Sequence, residues 1–132
     1  TLVSREELLA QSDFISMHLL LNEDTRKSIN ADFFKKMKNS AIFVNTARGG
    51  LVDEDALIEA LRTGEIAGAA LDVLTEEGID KDAPLQKFDN VIITPHAAWY
   101  SEQAFYTLLT SAAQEVVRAL HGEPVKNQVN HF

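Results

Sequence analysis

The chain has 132 residues, of which 45% are hydrophobic and 24% charged, the balance of a globular domain with a real core. Its formal net charge of −8 argues against nonspecific binding to nucleic acid or to an anionic membrane surface. There is no cysteine, which excludes disulfides and thiolate catalysis and fits a cytoplasmic location. No apolar run approaches the roughly 20 residues that a membrane-spanning helix needs.

Predicted strands and helices alternate along the chain. In chain order, the predicted strands span residues 13–21, 41–45, 66–73 and 91–94, each an apolar run bounded by polar or turn-forming residues. Ser4 and Glu7 have the spacing of a capping box and begin the first predicted helix, and Asn30 is placed to cap the second. Strand 13–21 is largely apolar on both faces, so we expect it to be buried.

Two more helices complete this pattern. One is predicted over 53–62, with Gly64 at its end, and the other begins at Ser101 and ends before Gly122. Alternating strands and helices imply an α/β fold, with a parallel sheet and right-handed crossovers.

Arg48 follows the second predicted strand in the run Asn-Thr-Ala-Arg-Gly-Gly-Leu-Val-Asp. Ligands of open α/β sheets bind beyond the carboxyl ends of the strands. An arginine there can hold a carboxylate or keto acid with two parallel hydrogen bonds, and Gly49 and Gly50 let the backbone turn tightly. The alternative is that Arg48 closes the strand end and pairs with a surface acid.

His96 occupies the corresponding position after strand 91–94. Pro95 ends the strand, so His96 should project from its end. Histidine is the side chain best suited to proton transfer near neutral pH, although a lone histidine is more often structural. Two strand ends, one with Arg48 and one with His96, make a site more plausible than either residue alone.

The segments 45–53, 68–73 and 94–101 together resemble the D-isomer-specific 2-hydroxyacid dehydrogenases, and the resemblance runs over essentially the whole chain. The run Pro-His-Ala-Ala-Trp-Tyr-Ser-Glu-Gln, 95–103, most resembles the C-terminal-binding-protein branch of dehydrogenase-like transcriptional corepressors and bacterial relatives. The family resemblance implies the C-terminal half of a doubly wound parallel, Rossmann-type sheet with four main strands. It also implies reversible hydride transfer between a 2-hydroxy acid and NAD.

The resemblance implies a catalytic set of Arg48, Glu77 and His96. Arg48 would orient the substrate, His96 would be the acid/base, and Glu77 would tune the histidine and fix its tautomer. Alignment from Asp72 selects Glu77, although Gly78 follows where the family usually has proline. Glu76 is the alternative partner, and both acids being merely solvated is another. The substrate pocket would comprise Arg48, His96 and Trp99, with a core or interface role as the alternative for Trp99.

Cofactor contacts are also implied by the resemblance. Asp72 would accept a hydrogen bond from the nicotinamide carboxamide, with a strand-end turn former as the alternative. In chain order, the expected cofactor-binding residues are Leu19, Leu20, Leu21, Asn22, Thr25, Thr46, Ala47, Arg48, Asp72, His96 and Ala98. NAD is expected on family prevalence, and NADP is not excluded. No metal is predicted, and we assign structural roles to His18 and His121.

No Gly-x-Gly-x-x-Gly run occurs in the sequence, although a dinucleotide fold seats the pyrophosphate on such a loop. In the family this loop, the ribose-reading acid and most of the substrate domain precede the segment that matches Thr1. We therefore expect residues 1–122 to form a partial NAD-binding Rossmann domain and residues 123–132 a tail leading toward the substrate domain.

The resemblance further implies a cytoplasmic homodimer that acts on a small 2-hydroxy or 2-keto acid, without direct contact to nucleic acid or membrane. The alternative function is an NAD-gated corepressor or scaffold with weak dehydrogenase activity. For the isolated chain, we expect weak NAD binding and self-association through the exposed edge of the first strand.

Overall fold

The computed structural model describes residues 1–76, 78 and 83–129. In chain order the strands are β1 (Phe14–Met17), β2 (Ile42–Asn45), β3 (Gly68–Leu71) and β4 (Val91–Ile93), and the helices are α1 (Arg5–Gln11), α2 (Ala31–Lys35), α3 (Glu54–Thr63) and α4 (Glu102–Leu120). All neighbouring strands are parallel, in the spatial order β1-β2-β3-β4. The predicted α/β fold with four parallel strands is confirmed.

The first three strands are shorter than predicted, because their hydrogen-bonded pairing stops at the same level of the sheet. Met17 of β1 pairs with Asn45 of β2, and Asn45 pairs in turn with Leu71 of β3. The segment 19–21 was predicted as strand, but it has left the sheet because β2 turns away after Asn45. The carboxyl ends of these three strands therefore lie side by side at one edge of the sheet.

The prediction that the first strand is buried on both faces was wrong. Ile15 and Met17 are buried, whereas Phe14 and Ser16 are exposed. Successive side chains of a strand point to opposite faces, and only one face of β1 packs into the core.

The predicted helix ends are confirmed by their caps. The Ser4 hydroxyl accepts a hydrogen bond from the Glu7 N–H at 3.1 Å, and the Ser101 hydroxyl accepts one from Ala104 at 3.1 Å. Asn30 accepts from the first turn of α2. Gly64 ends α3 with a φ of 73°, which lies in the left-handed region that glycine adopts without steric cost.

The core lies within the first of two compact units, Thr1–Ala98 and Trp99–Phe132. At its centre Phe33, Phe34 and Phe43 make edge-to-face contacts with ring centroids 5.4–6.2 Å apart. Full burial of each such side chain stabilises a fold by about 1.5–3 kcal/mol. The second unit contains α4, which has no buried residue. Across the described residues, no helix has the length and apolar character to cross a membrane.

Candidate active site

Loops from three adjacent strands meet at the carboxyl edge of the sheet. Arg48 follows β2, Asp72 follows β3 and His96 follows β4, and these strands are neighbours in that order. The ends of β2 and β4 are separated by two strand spacings, about 10 Å. The predicted placement of Arg48 and His96 at one edge is therefore confirmed for their backbone positions.

Asn45, the last residue of β2, shapes the turn that carries Arg48. Its side chain is fully buried: Nδ2 donates to the Arg48 carbonyl at 2.9 Å and Oδ1 accepts from the Ala47 N–H at 3.1 Å. Arg48 itself is exposed, and its Nη1 donates to the Ala47 carbonyl at 2.6 Å. The asparagine thus fixes the main chain on both sides of the arginine's attachment point.

Glycine is required at position 49 because of a close backbone contact, and not because of the tight turn that the sequence predicted. Neither Gly49 nor Gly50 has a positive φ, so the turn does not depend on a left-handed conformation. A Cβ at position 49 would lie 2.0 Å from the carbonyl oxygen of Leu74, which no side chain can accommodate. Glycine at 49 therefore lets the Arg48 segment pack directly against the backbone of the loop that follows β3.

Asp72 organises the turn that carries His96. Its Oδ1 accepts from the Thr94 hydroxyl and from the Ala97 N–H, and its Oδ2 accepts from the Ala98 N–H at 2.9 Å. Its main-chain carbonyl accepts from the His96 N–H at 2.9 Å. The carboxylate of Asp72, which is only 5% exposed, therefore acts within the protein as a turn former, the alternative left open by the sequence.

Burial raises the pKa of the Asp72 carboxyl. Hydrogen bonds from Thr94, Ala98 and Ala97 and the nearby charge of His96 lower this pKa, and together they outweigh the effect of burial. The net result is that the pKa of Asp72 lies below its ordinary value. Asp72 is therefore ionised at neutral pH and presents a fixed negative charge beneath the His96 turn.

His96 has a φ of 54°, a left-handed conformation that is uncommon for residues other than glycine. The His96 N–H donates to the carbonyls of both Asp72 and Thr94, which holds this conformation in place. Backbone strain of this kind costs about 1–3 kcal/mol and persists where the surroundings over-determine it.

His96 lines a cavity of about 230 Å³ between the loops that follow β3 and β4. The cavity is also lined by Asp72, Leu74, Glu76, Gly78 and Pro95. Among the described residues, Arg48 is not part of this lining. Glu77, the predicted partner of His96, lies outside the described residues. Gly78 has a φ of 128°, which proline cannot adopt, so the loop departs in backbone from the family's proline-containing pattern.

The loop after β1 forms a closed turn. The Thr25 hydroxyl donates to the Leu20 carbonyl at 2.6 Å, and the Asn22 side chain accepts from the Thr25 N–H at 2.9 Å. Leu19 and Leu20 are exposed, so their apolar side chains flank the carboxyl edge of the sheet.

Several polar groups in the predicted cofactor set are already used within the protein. The Ala47 N–H binds Asn45, the Ala47 carbonyl binds Arg48, and the Ala98 N–H binds Asp72. Thr46 is exposed and Leu21 packs on the core cluster. These main-chain groups therefore stabilise the loops of the protein itself. The cofactor contacts expected for Thr46, Ala47 and Ala98 remain predictions.

Three further residues were considered in the sequence: Trp99, His18 and His121. Trp99 belongs to the second compact unit, where its ring contacts Tyr100 edge-to-face with centroids 5.6 Å apart. His18 is exposed, with its Nε2 3.0 Å from the Ser16 hydroxyl, and His121 is the C-cap of α4. Over residues 1–76, 78 and 83–129, no three His, Cys, Asp or Glu side chains are grouped to hold a metal ion.

Asn45 was missed as a site residue in the sequence. Asparagine often bonds the backbone two residues ahead, and its position directly after an apolar strand was a usable signal for such a turn.

Residues 1–98 match the family described as D-isomer specific 2-hydroxyacid dehydrogenase, NAD binding domain. The chain is 43% identical over 125 residues to glyoxylate/hydroxypyruvate reductase B of Cronobacter sakazakii, covering 95% of this chain and 39% of that protein. This chain therefore spans about two fifths of that relative's length.

Two solved structures share the fold. D-lactate dehydrogenase with NAD+ from Lactobacillus jensenii superposes with a TM-score of 0.89 at 34% identity, covering 98% of this chain and 43% of that one. A D-isomer specific 2-hydroxyacid dehydrogenase from Xanthobacter autotrophicus Py2, in complex with NADPH and MES, gives a TM-score of 0.79 at 40% identity, covering 96% and 51%. These comparisons do not show the C-terminal-binding-protein branch.

Proposed function

Because this chain belongs to the NAD-binding domain family of the D-isomer specific 2-hydroxyacid dehydrogenases, we propose that the full-length protein is an oxidoreductase acting on small 2-hydroxy or 2-keto acids. The observation that carries this proposal is the placement of His96. It follows a strand at the carboxyl edge, in a turn anchored on a buried carboxylate, and it lines a cavity together with Glu76.

We assign substrate orientation to Arg48. A guanidinium has five N–H donors in a planar fork, and only Nη1 is engaged with the Ala47 carbonyl in the contacts described above. Nε and Nη2 can therefore form a two-pronged contact with the carboxylate and carbonyl of a keto acid. Because Asn45 fixes the turn, that contact would be made from a preorganised backbone.

We assign proton transfer to His96. Its imidazole would take the hydroxyl proton of a 2-hydroxy acid and return it to the carbonyl oxygen in the reverse reaction. We propose Glu77 as the carboxylate that favours the charged imidazole and fixes its tautomer, with Glu76 as the alternative because it lines the His96 cavity.

The bound nicotinamide would supply the chemistry of accepting or donating the hydride. Leu19, Leu20 and the closed turn that ends at Thr25 would hold the dinucleotide along the carboxyl edge. NAD is proposed as this dinucleotide, with NADP as the alternative. Asp72 retains acceptor capacity on Oδ2, so we keep its proposed contact with the nicotinamide carboxamide.

We further propose that residues 1–122 belong to the NAD-binding domain, that 123–132 lead toward a substrate domain, and that the full-length protein is a cytoplasmic homodimer. Sedimentation of the full-length protein tests the oligomeric state, and a monomer at micromolar concentration would contradict it.

Substituting Arg48 tests the substrate contact. In the full-length protein, Arg48→Ala should raise KM and lower kcat, with kcat/KM for 2-keto acids falling on the order of 10²-fold, because a loosely held substrate is misplaced for hydride transfer. Arg48→Lys should not restore activity, since an ammonium lacks the planar fork. Arg62→Ala, which removes an exposed arginine of α3, is the matched control. Near-normal kcat/KM in Arg48→Lys would contradict the two-pronged contact.

Substituting His96 and the neighbouring acids tests proton transfer. His96→Ala should lower the rate by about 10²–10⁴-fold, whereas His121→Ala should not. Glu77→Gln should move the pH limb that reports protonated His96 in the reduction direction to lower pH, because loss of a carboxylate favours neutral imidazole. Glu76→Gln should leave that limb in place. The opposite pattern would make Glu76 the partner.

The scaffold function is the second candidate, favoured by the run Trp99-Tyr100-Ser101 after His96 and by its resemblance to the corepressor branch. Tight cofactor binding by the full-length protein with negligible turnover across 2-keto acids would support the scaffold. Turnover at ordinary enzymatic rates would support the dehydrogenase.

A further inference from the structure

Glu54 lies in the first turn of α3, and its carboxylate reaches across to the loop that follows β3. Glu54 Oε1 accepts a hydrogen bond from the main-chain N–H of Thr75, 21 positions along the chain. Glu54 is half-buried, whereas the next acid, Asp55, is exposed. A contact of this range distinguishes Glu54 from an acid that merely faces solvent at a helix start.

Thr75 stands between Leu74 and Glu76, and both of those residues line the His96 cavity. A bond to the Thr75 amide therefore fixes the backbone between two residues that line the cavity. Gly49 makes the second contact with this segment, through its close approach to the Leu74 carbonyl. Both contacts come from the stretch of chain that directly follows Arg48.

We propose that Glu54 is a positioning residue of the active site, which holds the wall of the His96 cavity in register with the Arg48 turn. This proposal rests on the proposed function. In the described residues, the acids near His96 are Asp72, which lies beneath its turn, and Glu76, which lines its cavity. Loosening this loop would let the Glu76 carboxylate move relative to the His96 imidazole, since both line the same cavity.

Amide hydrogen exchange at Thr75 in the full-length protein tests the contact itself. Glu54→Ala should speed exchange of the Thr75 N–H by about tenfold or more, because the acceptor is lost. Glu54→Gln should retain protection, since its amide oxygen can accept the same bond. Asp55→Ala removes an equal charge from the same helical turn and should leave Thr75 unchanged. Unchanged Thr75 exchange in Glu54→Ala would overturn the contact.

The pH dependence of kcat/KM in the same variants tests the consequence for His96. The limb that reports protonated His96 in the reduction direction should move to lower pH in Glu54→Ala, and it should stay in place in Glu54→Gln and Asp55→Ala. An unmoved limb in a Glu54→Ala protein with faster Thr75 exchange would overturn the positioning role. A wild-type protein without turnover on 2-keto acids would instead contradict the proposed function, and Thr75 exchange would still decide the contact.

Discussion

At the scale of single residues, the turns that hold Arg48 and His96 are stabilised by hydrogen bonds with buried polar side chains. Asn45 and Asp72 are the buried polar side chains in the described part of the chain, and they lie at the ends of adjacent strands. Each binds main-chain groups of a loop at the carboxyl edge, Asn45 the Arg48 turn and Asp72 the His96 turn. The positions of Arg48 and His96 therefore depend on side chains that need not touch a ligand.

Asn45→Ala should destabilise the protein by about 1–3 kcal/mol, because it leaves the part-buried Ala47 N–H and Arg48 carbonyl without their hydrogen-bond partner. Asn39→Ala is the matched control: its Nδ2 also donates to a backbone carbonyl, that of Gly64, but at an exposed site where water can replace it. Urea unfolding measures both. Equal losses in the two variants would show that burial of Asn45 is not what makes its bonds matter.

At the scale of elements, the short 3₁₀ helix Gly49–Leu51 and the loop after β3 form one packed unit. The elements were predictable from sequence because apolar runs and caps are local signals: Asn30 and Ser101 begin their helices and Gly64 ends its helix, as predicted. The contact of Gly49 with Leu74 was not predictable. It joins residues far apart in the chain, and no local pattern encodes a close approach of two backbones.

Gly49→Ala should destabilise the protein by about 1–3 kcal/mol or more, because the new methyl group would overlap the backbone of Leu74 and Thr75. Gly50→Ala is the matched control, since its nearest neighbour is the flexible end of the Leu21 side chain at 3.0 Å. Denaturation midpoints of the two variants give the comparison. Similar, small shifts in both would mean that the Leu74 contact yields easily.

At the scale of the whole molecule, the parallel sheet and the position of Arg48 and His96 at its carboxyl edge followed from the sequence, but the internal geometry of the site did not. Strand-end placement predicted Arg48 and His96 because parallel strands share their carboxyl edge. The role of Asp72 was left open between ligand and turn, and the structure shows the turn contacts. The groups that donate to the Asp72 carboxylate belong to the segment 94–98, which follows β4. They come close to Asp72 only because β3 and β4 are paired in the sheet, and the sequence does not give that pairing.

The acid stability of the molecule should depend on Asp72. Because the folded-state pKa of Asp72 lies below its ordinary value of about 3.9, its contribution is present above that pH and is lost as pH falls through the folded-state pKa. Asp72→Asn should therefore be less stable than wild type at neutral pH, with a difference that shrinks below about pH 4. Chemical denaturation across pH measures this.

Asp13→Asn is the control for acid stability, since Asp13 pairs with Lys38 at an exposed site. A stability difference for Asp72→Asn that stays constant down to low pH would show that its carboxylate is not the group being titrated.

The left-handed backbone of His96 also affects how its removal should be interpreted. Alanine is disfavoured at a φ of 54°, so an alanine variant would combine loss of the imidazole with a distorted turn. Asparagine enters this region several-fold more readily than most residues, and it cannot act as an acid or base near neutral pH. His96→Asn therefore separates the chemical contribution of the side chain from the conformational preference of the position it occupies.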